Sequence, residues 1–322
     1  MTMNTSGDAT TVGACIGGAI TAVGTTTTNA LDDRPWPAPA KLNLFLHIVG
    51  RRPNGYHELQ TCFQFVDLCD DIHFSLRLDG EVRRLRGAPG VSEDTDLCVR
   101  AARNLQSMSG CALGVDIDVV KRIPMGAGLG GGSSDAATCL VALNRLWGLD
   151  LPTADLAALG LTLGADVPVF VQGRAAWAEG VGERLTPLYP PLAPSEDNYL
   201  IVKPNVFVST AEVFQDPELT RNSPHITIHG FLASGGRNDC LGVVRRRYPE
   251  VARALDWLSL FGHARLTGTG ACVFVELESL DRGREIVRKL PAAFDAFLVR
   301  GSNDSPLLER LSVAEAWPAR GR

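Results

Sequence analysis

The sequence has few features of a metal-binding, secreted or membrane-spanning protein. Its eight cysteines are scattered, with no C-x-x-C pair and no spacing typical of a zinc site. We expect them to be reduced core residues of a cytoplasmic protein. The mildly apolar stretch Cys15–Val23 is too short to span a bilayer. No basic start of the kind found in secretory signals precedes it, since the first basic residue is Arg34.

Positive charge is also scarce. The chain has 31 Lys and Arg residues against 36 Asp and Glu residues, a net charge of −5 at pH 7. This balance argues against nucleic acid or an anionic membrane as the main partner. The oligomeric state is left open between a monomer and a homodimer.

Composition and the positions of proline-rich stretches suggest how the chain is divided into domains. Residues 1–34 are rich in Thr, Gly and Ala, and we predict a disordered or non-native extension there. The folded chain is predicted to begin at Trp36. The proline-rich stretch Tyr189–Pro194 predicts a boundary, which gives an N-terminal domain over 35–190 and a C-terminal domain over 191–322.

The most informative stretch is Pro124–Ser134, which reads Pro-Met-Gly-Ala-Gly-Leu-Gly-Gly-Gly-Ser-Ser. A strand-like alternation over Val115–Val120 precedes it, and apolar residues at helical spacing follow over Asp135–Trp147. Ser133 and Ser134 are predicted to cap that helix. Glycines allow close backbone approach, and a helix N-terminus favours an anion. The stretch therefore predicts a phosphate cradle.

Three other interpretations of this stretch are less favoured. A flexible linker is disfavoured because a strand and a helix abut both ends. Gly126, Gly128 and Gly131 satisfy the dinucleotide motif G-x-G-x-x-G, but that motif needs a second strand ending in an acidic residue. Here Trp147–Pro152 looks like a loop that opens another helix. A Walker A loop is excluded because no Lys follows the glycines.

The stretch Pro124–Ser133 resembles the phosphate-binding loop of the GHMP kinases, whose pattern is close to P-x-x-x-G-L-G-S/G-S/G-S. The resemblance implies an α+β, two-domain fold with the active site in the cleft. Its N-terminal domain would be ribosomal protein S5 domain 2-like and its C-terminal domain an α/β sandwich. The implied ATP-binding residues are Pro124, Met125, Gly126, Ala127, Gly128, Leu129, Gly130, Gly131, Gly132, Ser133 and Ser134. Mg²⁺ is expected with ATP; Ser134 is a candidate contact, but no metal ligand is established.

Two charged residues are the candidate catalytic pair. Lys41 and Asn43 alternate along a strand, so they share a face about 7 Å apart. From spacing alone, Lys41 could be a solvated strand end and Asp166 a capping or turn residue. The family resemblance implies instead that Lys41 and Asp166 pair beside the phosphates. Asp166 would accept the hydroxyl proton, and Lys41 would offset charge on the transferring group and keep Asp166 ionised.

The substrate residues also follow from resemblance. Pro39–Leu46, Gly55–His57 and Leu59–Thr61 resemble one branch of the family, which phosphorylates a cytidine-diphosphate-linked sugar alcohol in non-mevalonate isoprenoid biosynthesis. The resemblance implies that Asn43, Tyr56, His57, Thr210 and Phe214 contact the substrate, and that Gly268, Thr269 and Gly270 close over the phosphates. From sequence alone, Tyr56 and His57 could be strand-start residues, Phe214 a core residue of a short helix, and the last glycines a hairpin turn.

Two alternatives stay open. One is a GHMP kinase for another small alcohol, of the homoserine or mevalonate type, which Gly55–His57 and the Lys41–Asn43 block argue against. The other is an inactive nucleotide-binding regulator, which the loss of Lys41 or Asp166 would have favoured. A smaller prediction concerns His225 and His229: a strand between them would hold them about 13 Å apart, too far to bind one metal.

Overall fold

The computed structural model describes residues 34–88 and 90–315, so the predicted extension lies, up to residue 33, outside the described residues. The strands are β1 (Trp36–Arg51), β2 (His57–Arg77), β3 (Val82–Arg86), β4 (Gly114–Val120), β5 (Ala176–Gly180), β6 (Arg184–Pro187), β7 (Asn198–Pro204), β8 (Arg265–Leu266), β9 (Val273–Leu277) and β10 (Phe294–Ser302). The helices are α1 (Leu97–Ser109), α2 (Gly131–Leu146), α3 (Thr153–Leu161), α4 (Val167–Gln172), α5 (Thr210–Gln215), α6 (Ile228–Ser234), α7 (Leu241–Arg247), α8 (Pro249–Leu258), α9 (Leu280–Val287) and α10 (Pro306–Glu315).

The sheet is organised around β2, which is 21 residues long. β1 runs antiparallel along most of it, and β4 and β5 pair with its two ends. At Phe65 and Val66, β2 also pairs with the end of β10, and the sheet continues through β7 and β9 to β8. One hydrogen-bonded path therefore joins the two halves of the chain and fixes the orientation of the cleft between them.

Capping residues set the start of α1, whereas the start of α2 differs from the predicted one. Asp96 caps α1, accepting from the backbone N–H groups of Cys98 and Val99. The prediction that Ser133 and Ser134 cap α2 is wrong. That helix begins earlier, directly after Gly130, whose φ of 75° places it in the left-handed region. Because the backbone of Gly130 leads the chain into α2, Ser133 and Ser134 both lie inside the first turn of this helix.

The core has three parts. One joins α1 and α2 to the N-terminal strands, a second fills the C-terminal half, and a third lies between them around Phe45, Trp177 and Phe274. Helix α10, at the end of the described chain, returns to the first part, where Leu307 is buried. The division at 190/191 stays a prediction, since residues on both sides of it share these cores.

Two further features bear on function. The predicted strand between His225 and His229 is wrong, because α6 begins at Ile228 with Thr227 as its cap. Across the described part of the chain, no helix is both long and apolar enough to cross a membrane.

Candidate active site

Lys41 and Asn43 lie on one face of β1, as their spacing predicts. The Lys41 side chain is 4% exposed, and its ammonium donates to Asn43 Oδ1 at 2.6 Å and to the Gly128 carbonyl at 3.1 Å. Asn43 donates from Nδ2 to Thr61 Oγ1 at 2.9 Å and from its backbone N–H to Thr267 Oγ1 at 3.0 Å. A buried ammonium needs such partners, so Lys41 is held in place and is not a solvated strand end.

Asp166 directly precedes α4, and its Oδ2 lies 3.4 Å from Lys41 Nζ. The carboxylate makes no capping hydrogen bond to α4, and its side chain is 35% exposed. The structure thus brings together two residues 125 positions apart in the chain. A carboxylate that is open to solvent on one side and faces an ammonium on the other can receive a proton from a bound hydroxyl.

The glycine loop is shaped by three left-handed residues, Gly126, Gly128 and Gly130. A Cβ on Gly130 would come within 2.8 Å of the Phe170 ring and 3.1 Å of the Lys41 side chain. A Cβ on Gly128 would overlap the backbone carbonyl of Thr267. These positions therefore require glycine because of both their φ angles and their close neighbours.

The second glycine loop, between β8 and β9, packs against the first. Backbone N–H groups of Ala271 and Cys272 donate to the carbonyls of Gly126 and Ala127. Asn238 holds this second loop from behind by donating to the carbonyls of Leu266 and Gly268 at 2.9 and 2.8 Å. The two loops therefore form one wall, to which the predicted closure residues Gly268, Thr269 and Gly270 belong. Thr269 Oγ1 also lies 2.9 Å from Thr210 Oγ1.

A cavity of about 420 Å³ opens in front of the first glycine loop and the start of α2. Lys121, which lines it, forms ion pairs with Asp70 and Asp135. The buried Asp70 also accepts from two backbone N–H groups. Burial raises the pKa of Asp135 to about 7, although Lys121 opposes the shift. One ammonium thus serves two carboxylates at the inner end of the cavity.

The loop and cavity suit a nucleotide phosphate better than a metal bound by protein alone. The start of α2 presents free N–H groups and the positive end of its dipole. Within residues 34–88 and 90–315, no cluster of three or more His, Cys, Asp or Glu side chains could hold a metal ion. Ser134 Oγ is fully buried without a hydrogen-bond partner among the described residues, and Ser134 does not line the cavity.

The predicted substrate residues fall into two groups: Asn43 and Thr210 contact the glycine-loop side of the site, and His57 and Phe214 contact each other. The His57 and Phe214 rings stack with centroids 5.1 Å apart and planes 25° apart. Phe214 is half-buried on α5 and also packs against the C-terminal core, so the short-helix prediction is confirmed. Tyr56 is 63% exposed beside them. Arg221, which the sequence did not single out, donates from Nε to His57 Nε2 at 3.0 Å.

Sequence reasoning missed several residues that hold the site together. Thr267 lies one position before the predicted closure residues. Asn238 follows the pair Gly235 and Gly236, which matches no motif, and Arg221 lies in a segment without glycine. Lys121 and Asp135 flank the glycine loop, and the sequence gives neither of them a role at the site. Only their contacts across the fold single them out.

Comparison with known proteins agrees with this geometry. The pattern described as "GHMP kinases N terminal domain" matches residues 96–174, and "GHMP kinases C terminal" matches residues 227–296. A 4-diphosphocytidyl-2-C-methyl-D-erythritol kinase of Alkalilimnicola ehrlichii is 57% identical over 86% of this chain and 94% of its own length. The enzyme of that name from Pseudomonas aeruginosa is 57% identical over 86% of this chain and 97% of its own length.

Solved structures give the same picture. A crystal structure of 4-(cytidine 5'-diphospho)-2C-methyl-D-erythritol kinase matches with a TM-score of 0.71 and 35% identity, covering 83% of this chain and 98% of that one. A mevalonate kinase matches with a TM-score of 0.62 at 17% identity, covering 83% of this chain and 99% of its own, which shows the fold alone.

The chain therefore belongs to the GHMP kinase family, with the α+β fold of that family. Within the family it belongs with the 4-diphosphocytidyl-2-C-methyl-D-erythritol kinases, which it matches over nearly their whole length.

Proposed function

We propose that this protein transfers the γ-phosphoryl group of ATP to a hydroxyl of 4-diphosphocytidyl-2-C-methyl-D-erythritol and gives the 2-phosphate. The reaction would serve the non-mevalonate route to isoprenoid precursors. The observation that carries the proposal is the 3.4 Å approach of Asp166 Oδ2 to Lys41 Nζ beside the glycine loop. The names of the relatives supply the substrate.

Phosphoryl transfer depends mainly on positioning and on electrostatic stabilisation. Backbone N–H groups at Gly130–Ser133 would hold the phosphates, because glycines leave the backbone accessible and α2 begins there. The N–H of Ser134 already donates to the Gly130 carbonyl. Gly268 and Thr269 would close over them from the second loop. ATP supplies the phosphoryl group, and Mg²⁺ bound with it offsets its negative charge.

Lys41 and Asp166 would act together on the transferred group and its acceptor. Lys41 is fixed by Asn43 and by the Gly128 carbonyl, so its charge stays close to the phosphate loop. Asp166 would accept the proton of the substrate hydroxyl. In a loose transition state the proton leaves late, so positioning by Asp166 would matter as much as its basicity.

The cytidine end of the substrate would bind beside the aromatic side chains. His57 and Phe214 offer a stacked pair, and Tyr56 is exposed beside them. A base stacked on an aromatic ring gains roughly 1–3 kcal/mol in nucleic-acid binders. Asn43, close to Lys41, would face the reacting end. Thr210, whose Oγ1 lies 2.9 Å from Thr269 Oγ1, would also contact the substrate.

The first test is ATP consumption by the purified protein with four alcohols. They are the cytidylated methylerythritol, the same alcohol without cytidine, homoserine and mevalonate. Turnover with the cytidylated compound alone is the expected result. Turnover with another alcohol would support the proposed roles of Lys41 and Asp166 but contradict the assignment of the aromatic residues to a cytidine pocket. Nucleotide binding without any turnover would favour the regulator. We also propose a cytoplasmic monomer or homodimer, which light scattering and fractionation would test.

A further inference from the structure

Arg221 has an unusual set of partners for an arginine near a ligand pocket. Its guanidinium donates to three backbone carbonyls, those of Leu219 at 3.1 Å, Phe214 at 3.0 Å and Asp216 at 2.8 Å. Its Nε–H donates to His57 Nε2 at 3.0 Å. Three fixed carbonyls determine the plane and rotation of the guanidinium. The direction of its Nε–H is therefore set before any ligand arrives.

This contact determines the protonation state of His57. A guanidinium has only donors and stays protonated in proteins. His57 Nε2 must therefore present a lone pair, which leaves the ring neutral with its hydrogen on Nδ1. Burial lowers the pKa of His57, and the nearby charges of Arg221 and Arg51 lower it further. These effects favour the same neutral ring.

The orientation of the His57 ring is fixed as well as its tautomer. Stacking on Phe214 sets the ring plane, and the bond from Arg221 sets which edge faces the protein. In the described part of the chain, Nδ1–H forms no hydrogen bond. The pocket thus offers one imidazole donor in a fixed direction, next to the rings that would stack a base.

We propose that Arg221 is a positioning residue that sets base specificity by holding His57 as the Nδ1–H tautomer. The proposal rests on the proposed function, in that the base beside His57 is taken to be cytosine. Cytosine N3 is an acceptor and can receive Nδ1–H, whereas uracil carries a hydrogen on N3. A donor that faces a donor leaves two polar groups unpaired, which disfavours the uridine analogue.

A measurement on the ligand-free protein tests the tautomer independently of activity. The protein labelled with ¹⁵N-histidine has six histidines, and loss of one signal set in His57→Asn assigns His57. We expect a protonated Nδ1 and a bare Nε2 at about neutral pH. In Arg221→Met, we expect hydrogen to appear on Nε2. A wild-type Nε2–H tautomer, or an unchanged tautomer in Arg221→Met, would overturn the proposal.

Arg246→Met is the matched control. Arg246 supports the same segment through ion pairs with Asp216 and Glu218, but it makes no contact with His57. If Arg221 acts only by bracing the segment, both variants should behave alike. If it acts through His57, only Arg221→Met should change the His57 signals.

Specificity is measured as the ratio of kcat/KM for the cytidylated substrate to that for its uridine analogue. We expect a wild-type ratio of about ten or more, a ratio near one in Arg221→Met, and an unchanged ratio in Arg246→Met. His57→Asn keeps the contacts of Arg221 but presents an amide that can rotate to donate or accept, so its ratio should also fall. A wild-type ratio near one would overturn the proposal. Turnover of neither compound by wild type would overturn the proposed function, while the ¹⁵N measurement would still decide the tautomer.

Discussion

Replacing Gly128 by alanine tests whether the contact between the two glycine loops organises the site. Gly128 has φ of 75°, a conformation that costs an L-residue about 1–2 kcal/mol. The gain from restricting the unfolded chain, about 0.4–1 kcal/mol, offsets part of that cost. From backbone dihedrals alone, Gly128→Ala should therefore lower the free energy of unfolding by about 1 kcal/mol.

The steric effect of the same change is larger and falls on function. The added Cβ would lie 2.3 Å from the Thr267 carbonyl oxygen and 3.0 Å from that of Gly270. Both atoms belong to the backbone, so the loops must separate by about 1 Å to restore ordinary contact. Thr267 Oγ1 accepts from the backbone of Asn43, so Asn43 and Lys41 move with it. A misplacement of this size costs about 100-fold in rate.

Gly132→Ala is the matched control in the same loop. Its Cβ would lie 3.6 Å from Leu97 Cδ1, an ordinary contact, and its φ is not left-handed. The GHMP kinase pattern also accepts Ser at this position, so a Cβ there is compatible with bound phosphate. An alanine inside α2 should stabilise the protein by about 0.5–1 kcal/mol.

The assay is steady-state kcat/KM for ATP consumption, combined with thermal unfolding of each variant. Gly128→Ala should lose about two orders of magnitude in kcat/KM, while its unfolding midpoint falls by only a few degrees, about 2–4 °C per kcal/mol. Gly132→Ala should stay close to wild type in kcat/KM, and its unfolding midpoint should rise slightly. An equal loss of activity in the two variants, or none in either, would refute the reasoning.

Three further changes test other parts of the site. Asp166→Asn should retain ATP binding by calorimetry but lose orders of magnitude in kcat; a kcat near wild type would remove the role of Asp166 as base. Asn238→Asp keeps an acceptor for the backbone N–H of Cys240 but loses both donors to the second glycine loop. We therefore expect kcat/KM to fall about tenfold or more. Unchanged kinetics would mean that the second glycine loop does not depend on the hydrogen bonds from Asn238. Because the pKa of Asp135 is raised to about 7, its stabilising contribution is present at low pH and is lost as the pH rises through about 7. Asp135→Asn should therefore raise the free energy of unfolding at about pH 8, measured in urea, with a smaller gain at about pH 5; the opposite pH trend would contradict this assignment.

Much of the local structure could be predicted from sequence. The alternation around Lys41 correctly placed Lys41 and Asn43 on one face, and glycine spacing located the loop before α2. Both signals are local, since they depend on strand or helix period and on turn chemistry. The start of α2 was missed because serine is a good cap, whereas Gly130 makes the turn by its left-handed backbone.

The remaining features of the site depend on contacts between segments that are distant in sequence. The periodicity of apolar residues does not reveal such contacts. Asp166 meets Lys41 across 125 residues, and Asn43 meets Thr267 across 224. Family resemblance supplied the first of these pairs. It did not supply the second, because Thr267 lies beside the quoted closure residues and not among them.

These contacts explain why the site needs both halves of the chain. Lys41 comes from β1, Gly128 from the loop before α2, and Thr267 from the hairpin between β8 and β9. Asn43 bonds both Lys41 and Thr267, and the Gly128 carbonyl accepts from the side chains of the same two residues. The direct partners of the Lys41 ammonium lie in the N-terminal half, but the backbone N–H of Asn43, the residue that holds this ammonium, donates to Thr267 of the C-terminal half. Each half would expose polar groups that the other now satisfies, and an unpaired buried group is costly. Residues 35–190, although they contain every candidate catalytic residue, should therefore fail to hold Lys41 in its catalytic position when expressed alone.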